Sequence, residues 1–466
     1  MANTPAEVSL HSLPDSLLAS TLSNLSLTER HRSPVLVCRR WHQLLHTTPQ
    51  LLSSIDVAFG EGQRGADRLQ AFSAWLLQHA LPHIRRLNLE VGDMPDAQAS
   101  RQVVARIVAA LVGCGLAGKL EGLRLEGPPC QPALWTGTQP SLRRLIVEAN
   151  EDVWEEEGDL DWRMSPKGLP LLEELVLTGL VSAPAGLALP TGLTKLHLSS
   201  FKAQPFLPQQ LAPLTRLHSL SLAELTCPSA GYAGLAQLPG LRRLGLRSCQ
   251  FWPACLSALT GLEALALVDD ADSSNRVQSG ADESGTDILA AACPRLQRLT
   301  LLALDSVQGT PVIPSAVTSL HGLHSFYWFE YSGGTLPAGE WLRSLRRLTA
   351  FAESLAASLP ALERHATSLE VAGAYFYDTK QADATHLAAA LGSAPRLPAL
   401  RRLLLRADEE LFAQQLRGLL AAQRARPDML VDCVHWTGYE RFAAECGYCF
   451  FPEAHKTFRD EFLEAE

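Results

Sequence analysis

A chain of 466 residues exceeds one small domain and can bury a large core. Hydrophobic residues make up 47% of it, and 40 Lys+Arg against 49 Asp+Glu leave a formal net charge of −9. Those figures argue against a disordered tail and against a protein whose main work is gripping nucleic acid. The cysteines are scattered, no basic-then-apolar leader opens the chain, and no run of about 18 apolar residues occurs. The expected setting is therefore cytoplasmic or nuclear, with no disulfide framework and no membrane span.

Leu13-Pro14-Asp15 predicts a helix start, with proline at the first turn and an acid near the positive end. Leu17, Leu18, Leu22 and Leu25 then share one helical face. Ser26-x-x-Glu29 offers a capping box for a second helix, which Pro34 must break, and Ser33 can cap the restart. Val37, Cys38, Trp41, Leu44 and Leu45 follow on one side, with Arg39 and Arg40 on others. A helical cluster of about 45 residues is close to the lower size for independent stability, so it should lean on its neighbours or on a partner.

The spacing L-x-x-L-x-L then recurs, from Ile84/Leu87/Leu89 to Leu400/Leu403/Leu405. Copies at Leu142, Leu172, Leu193, Leu217, Leu241, Leu262 and Leu296 are clear, and those opening at Leu323, Leu345 and Leu369 are weaker. The mean spacing of roughly 26 residues resembles that of leucine-rich repeats. The second and third leucines point inward from a short strand, and the residues just before them point the other way. No such strand buries its own face, but stacked neighbours share a continuous core. The expected fold is thus α/β, a leucine-rich-repeat solenoid (a horseshoe with a parallel sheet on its concave face). The Asn that normally follows the motif is mostly missing, which predicts an irregular array. The gap from 84 to 120 has room for a full helix, whereas repeats from 193 to 262 have room only for short turns.

The helical unit before the repeats resembles an F-box. The matching residues are Leu13-Pro14-Asp15, Leu22, Leu25 and Val37-Cys38-Arg39-Arg40-Trp41, with Pro49 and Leu51 following. The resemblance covers residues 9–56. Residues 57–83 form a linker or N-terminal cap, 84–430 the solenoid, and 431–466 a C-terminal cap. The sequence departs from the F-box pattern at Pro34, and Leu51 or Leu52 stands where a second Trp is common. The resemblance implies a substrate receptor: the F-box binds the Skp-type adaptor of a cullin–RING ubiquitin ligase, and the repeats hold a protein target. It places Leu13, Pro14, Leu17, Leu22 and Leu25 at or beside the adaptor. Val37, Cys38 and Trp41 serve either that interface or internal packing.

On the concave face, the residue before the second motif leucine is basic in most repeats. Arg86, Arg144, Lys195, Arg243, Arg298, Arg347 and Arg402 form a stripe suited to an acidic or phosphorylated protein segment. The alternative is that their stems lie over neighbouring leucines with the charges in water. In FYWFEY, Tyr327 and Phe329 either project as binding anchors or are buried by a slipped register. Insertions near 148–167, rich in acids and holding Trp154 and Trp162, and near 269–287 read as loops.

No phosphate loop, nucleophile elbow or H-E-x-x-H motif occurs, so neither catalysis nor a cofactor is expected. Cys433-x-His435 with Cys446-x-x-Cys449 leaves three readings open: a zinc site, a redox pair, or a cap built with Trp436, Phe442, Tyr448 and Phe450.

Overall fold

The computed structural model describes residues 13–25, 38–113, 119–127, 139–149, 168–180, 189–205, 211–226, 234–247, 254–269, 291–306, 315–330, 334–375, 387, 397–407 and 430–435. The chain divides into two units, Met1–Lys195 and Leu196–Glu466.

Unit 1 opens with α1 (Asp15–Ser23), α2 (Arg39–Thr47) and α3 (Pro49–Leu52). Asp15 lies in the first turn of α1, as the Leu-Pro-Asp spacing predicts, while Pro14 is the N-cap, just before that turn. Leu18, Ala19, Leu22, Trp41, Leu45 and Leu51 form a small core, with Leu25, Cys38 and Leu44 packed against it. Arg40 ties the two ends of this unit together. Its guanidinium pairs with the Asp15 carboxylate and donates to the Leu13 carbonyl at 2.6 Å.

Five parallel strands follow in unit 1: β1 (Ser54–Phe59), β2 (Arg86–Val91), β3 (Gly122–Gly127), β4 (Arg144–Ala149) and β5 (Glu174–Leu180). Each pairs in register with the next. Helix α4 (Gly62–Trp75) follows β1 and packs on it through Phe59 and Phe72, with ring centroids 5.3 Å apart. Helix α5 (Ala97–Gly113) fills the long gap between β2 and β3.

Unit 2 contains β7 (Ser219–Thr226), β8 (Arg243–Arg247), β9 (Ala264–Asp269), β10 (Leu301–Ser306), β11 (Ser325–Glu330), β12 (Arg347–Phe351), β13 (Val371–Tyr375), β14 (Arg402–Ala407) and β15 (Leu430–His435). These too pair parallel and in sequence order. Strand β6 (Lys195–Pro205) opens at the boundary between the units. Helix α6 (Ala352–His365) follows β12, and Trp341 packs edge-on against Phe326 at 5.8 Å.

Strand alternation does what the leucine spacing predicts. Leu87, Leu89, Leu123, Leu125, Leu145, Leu175, Leu177, Leu220, Leu222, Leu244, Leu246, Leu265 and Leu267 are all buried. Each fully buried leucine side chain contributes about 1.5–3 kcal/mol relative to exposure. No single repeat could do this alone. The fold is a leucine-rich-repeat solenoid with helices before it.

Three expectations need correction. The sheet begins at Ser54 and not at residue 84, because β1 pairs with β2 in the same register as every later strand. Its motif, Leu52/Ile55/Val57, contains only one leucine. The sheet also extends to His435, inside the stretch expected to be a cap, because β15 pairs with β14. The third correction concerns Leu296. The motif there is Leu299/Leu302/Leu304, since Leu302 aligns with Leu265 and Leu304 with Leu267. This register buries Leu296, Leu299, Leu302 and Leu304 together, whereas the Leu296/Leu299/Leu301 reading would leave two of them outside.

The missing Asn ladder has a backbone counterpart. The residue just before each strand accepts two N–H bonds from the next repeat. The Arg85 carbonyl takes the amides of Glu121 and Gly122, that of Glu121 takes Arg143 and Arg144, and that of Arg143 takes Glu173 and Glu174. The same pattern runs through Arg242, Glu263, Thr300, His324, Arg346 and Glu370 in unit 2. Side chains at these positions pair across repeats: Arg85–Glu121 at 3.4 Å, Arg143–Glu173 at 2.6 Å and Arg242–Glu263 at 3.2 Å. The sequence L-R-R-L occurs at 142–145, 241–244, 345–348 and 400–403, and its first arginine falls in this ladder while its second opens the next strand.

Candidate interaction surfaces

Two surfaces carry the candidate residues. The first is the N-terminal helical unit. Leu22 and Trp41 belong to its core, Trp41 being 8% exposed. They are packing residues and not surface anchors, because a unit this small needs both to close its core. Cys38 and Leu25 are half-buried against the same core. Pro14 is exposed, Leu13 is half-buried, and Leu17 is 55% exposed. Among the described residues, these three form an apolar tip at the start of α1. Val37 lies outside the described residues.

The second surface is the sheet face turned away from the core, the one expected to be concave. Three outward rows cross it in unit 1. The first row is Ser54, Arg86, Gly122, Arg144 and Glu174. The second is Asp56, Asn88, Arg124, Ile146 and Val176, and the third begins Ala58, Glu90, Glu126 and Glu148. Three arginines thus stand against five acids, so no basic stripe crosses β1–β5. Four of the five acids, Asp56, Glu90, Glu126 and Glu148, sit in rows that the L-x-x-L-x-L reading did not survey. The charges also neutralise one another. Arg144 pairs with Glu174 at 3.1 Å, and Arg124 pairs with Glu126 at 2.9 Å and Glu148 at 2.8 Å. Asn88 donates to Asp56 at 2.8 Å. Arg86 is exposed and Lys195, which opens β6, is half-buried.

In unit 2 the rows differ. Arg243, Arg347 and Arg402 hold their predicted places at the start of β8, β12 and β14. Arg298 does not. It lies exposed in the turn before β10, and Leu301 takes the outward position. Two further arginines hold register positions at the far end of their strands, Arg247 opposite Val268 and Arg406 opposite Tyr375. The motif reading missed both because it inspected only one outward position per repeat, although R-L-G-L-R and R-L-L-L-R carry the signal. Between the arginines lie Ser219, Ser221, Ala223, Gly245, Ala264 and Ala266, all buried. Tyr327 is 7% exposed, so it does not project as an anchor. Its register, with Ala303 on one side and Thr349 on the other, remains that of an outward row. Phe329 is in register with Asp305.

Among the described residues no group of His, Cys, Asp and Glu is arranged to hold a metal ion. Cys433 and His435 lie in β15, while Cys446 and Cys449 lie outside the described residues, as do most of the two insertions. Among the described residues no helix is long and apolar enough to cross a membrane. Burial pushes the Cys255 thiol up to about 11, against the opposing effect of nearby backbone hydrogen bonds.

No family model matches the chain, and no curated protein matches it. Among solved structures, an internalin from Listeria monocytogenes is 16% identical, covers 56% of this chain and 81% of its own, and superposes with a TM-score of 0.30. A plant peptide hormone receptor, RGFR1 in complex with RGF2, is 12% identical over 82% of this chain, with a TM-score of 0.33. The match spans 58% of that receptor's length. Likeness at these scores carries no argument, and the solenoid assignment rests on the strand order and register described above.

Proposed function

We propose that the chain is a substrate-recognition subunit of an SCF-type cullin–RING ubiquitin ligase. The N-terminal helices bind the Skp-type adaptor, and the repeats hold a target protein. The observation that carries this reading is the apolar tip at the start of α1. Pro14 and Leu17 face solvent although the same helix closes a core through Leu18 and Leu22. An exposed leucine one helical turn from an exposed proline, next to the Arg40–Asp15 pair, suits a docking surface. The two ends of the F-box-like pattern, Leu-Pro-Asp and V-C-R-R-W, meet through that pair. No catalytic step is assigned to the chain. It holds a target near a ubiquitin-carrying enzyme, which is an effect of proximity.

The test is a pull-down of the full chain with the purified Skp-type adaptor, beside a Pro14→Ala/Leu17→Ala variant. Both residues are surface positions, so the variant should keep its fold. Capture of the unaltered chain and loss with the variant is the expected result. Failure of the unaltered chain to bind would leave the second reading, a repeat scaffold whose helices only cap the array. That reading draws on α3 and its buried Leu51 and Leu52, which lead directly into β1.

A further inference from the structure

We infer that the open edge of β1 is a strand-addition site for an extended segment of a partner protein, one that alternates apolar with basic residues. The site lies on a different element from the apolar tip of α1 and goes beyond the adaptor reading. Strand β1 is the terminal strand of the sheet, and among the described residues it pairs only with β2. The Ser53 carbonyl accepts the amides of Arg85 and Arg86, and the Phe59 carbonyl accepts that of Gly92. The odd-numbered residues of β1 thus turn their backbone groups toward β2. Alternation turns those of Ser54, Asp56 and Ala58 the other way, and among the described residues no strand meets them there.

Nothing in the strand itself blunts this edge. Ser54, Asp56 and Ala58 are exposed, while Ile55, Val57 and Phe59 between them are buried. The register with β2 runs unbroken from Ser54 opposite Arg86 to Phe59 opposite Val91, so no bulge twists the edge away. The sequence S-I-D-V-A-F holds neither Pro nor Lys. Its one charge, Asp56, points outward and accepts a hydrogen bond from Asn88. Edges that meet only water are commonly protected by a bulge, a proline, a lysine or a covering element. An unprotected row of amides and carbonyls, recurring about every 6.6 Å, matches one class of ligand, another extended backbone.

Charge selects the occupant. Asp56 lies on the edge strand, Glu90 is in register with Ala58, and Glu61 follows the strand, all three exposed. Arg86 stands at the other end, opposite Ser54. An incoming strand therefore meets acids beside Asp56 and Ala58, where Lys or Arg on its outward face is suited. Its alternate residues fall beside Ile55, Val57 and Phe59 on the core side and need to be apolar. A second copy of this chain fits less well. The antiparallel pairing that engages Ser54, Asp56 and Ala58 on both copies sets Asp56 opposite Asp56, and like charges directly opposite are destabilising.

Fluorescence anisotropy on the full chain would test this with a labelled eight-residue peptide of alternating Lys and Val. A Glu–Val peptide and a fully N-methylated Lys–Val peptide, which has no backbone donors, serve as comparators. The expected result is saturable binding of the Lys–Val peptide, about tenfold or more tighter than either comparator. Ala58→Pro removes an amide from the open edge and leaves the ladder to β2 intact, so it should weaken binding about tenfold or more. Ala58→Val keeps that amide and should stay within about twofold. Asp56→Lys should shift the preference toward the Glu–Val peptide, and this reads the site even if Ala58→Pro disturbs the thermal melt. No binding of the Lys–Val peptide, equal binding of its N-methylated form, or tighter binding of the Glu–Val peptide to the unaltered chain would overturn the inference. So would a concentration-dependent dimer of the unaltered chain that Ala58→Pro abolishes, since the edge would then belong to a second copy. Adaptor capture is measured separately, so failure of one reading is distinguishable from failure of the other.

Discussion

Trp41→Ala is the perturbation that most directly tests how the N-terminal unit is built. Trp41 is 92% buried (8% exposed) against Leu18, Leu22, Leu45 and Leu51. Truncating a buried Trp costs about 3–5 kcal/mol. A unit of about 40 residues has roughly 2–6 kcal/mol of stability in total, at about 0.05–0.15 kcal/mol per residue. The substitution should therefore melt α1 and α2 without unfolding the repeats, whose leucine core it does not touch. Hydrogen exchange read by mass spectrometry would show it. Peptides from α1 and α2 should lose about two to three powers of ten in protection, while β4 and β5 change little. Leu17→Ala is the control, expected to cost less than about 0.5 kcal/mol because the side chain already faces water. Intact protection of α1 in Trp41→Ala, or equal damage from Leu17→Ala, would refute the division between core and tip.

The charge ladder predicts coupling between repeats. In a double-mutant cycle, Arg143→Glu and Glu173→Arg should each destabilise slightly, and the swapped pair should recover about 0.2–1 kcal/mol, less at high salt. Gly127 has φ +120°, and a Cβ there would sit 2.2 Å from the Val91 carbonyl oxygen. Gly127→Ala should therefore lower the urea midpoint by an amount worth about 1–3 kcal/mol, and an unchanged midpoint would exclude this close approach. Cys255, whose thiol burial raises from about 9 to about 11, makes stability fall as pH rises through that window, because the unfolded thiol ionises first. Denaturation at pH 8 and pH 10.5 should show a smaller drop for Cys255→Ser than for the unaltered chain.

The repeat architecture was legible in the chain because its cause is local and repeated. Leucine at most inward strand positions declares itself by spacing, from Leu87 to Leu403. The first and last strands were not legible. Leu52/Ile55/Val57 bury the same face, and Val431 and Cys433 take the same register, without the leucines that mark it, and only pairing with a neighbour reveals them. At Leu296 two registers fit the spacing equally well, and the choice fell to the one that buries the most leucine. That choice moved Arg298 off the sheet face.

Charge followed a similar division. The arginines of the L-R-R-L tetrads are plain in the sequence, but their neighbours lie twenty or more residues away. Tertiary pairing set Arg144 beside Glu174 and Arg124 between Glu126 and Glu148, which cancels the stripe in unit 1. The helical unit divides the same way. Helical periodicity put Leu17, Leu18 and Leu22 on one broad face, yet only packing against Trp41 and Leu45 decided which are inside. A sequence states which residues can share a face, because that depends on backbone geometry. Which of them are covered or neutralised depends on what the rest of the chain brings against them.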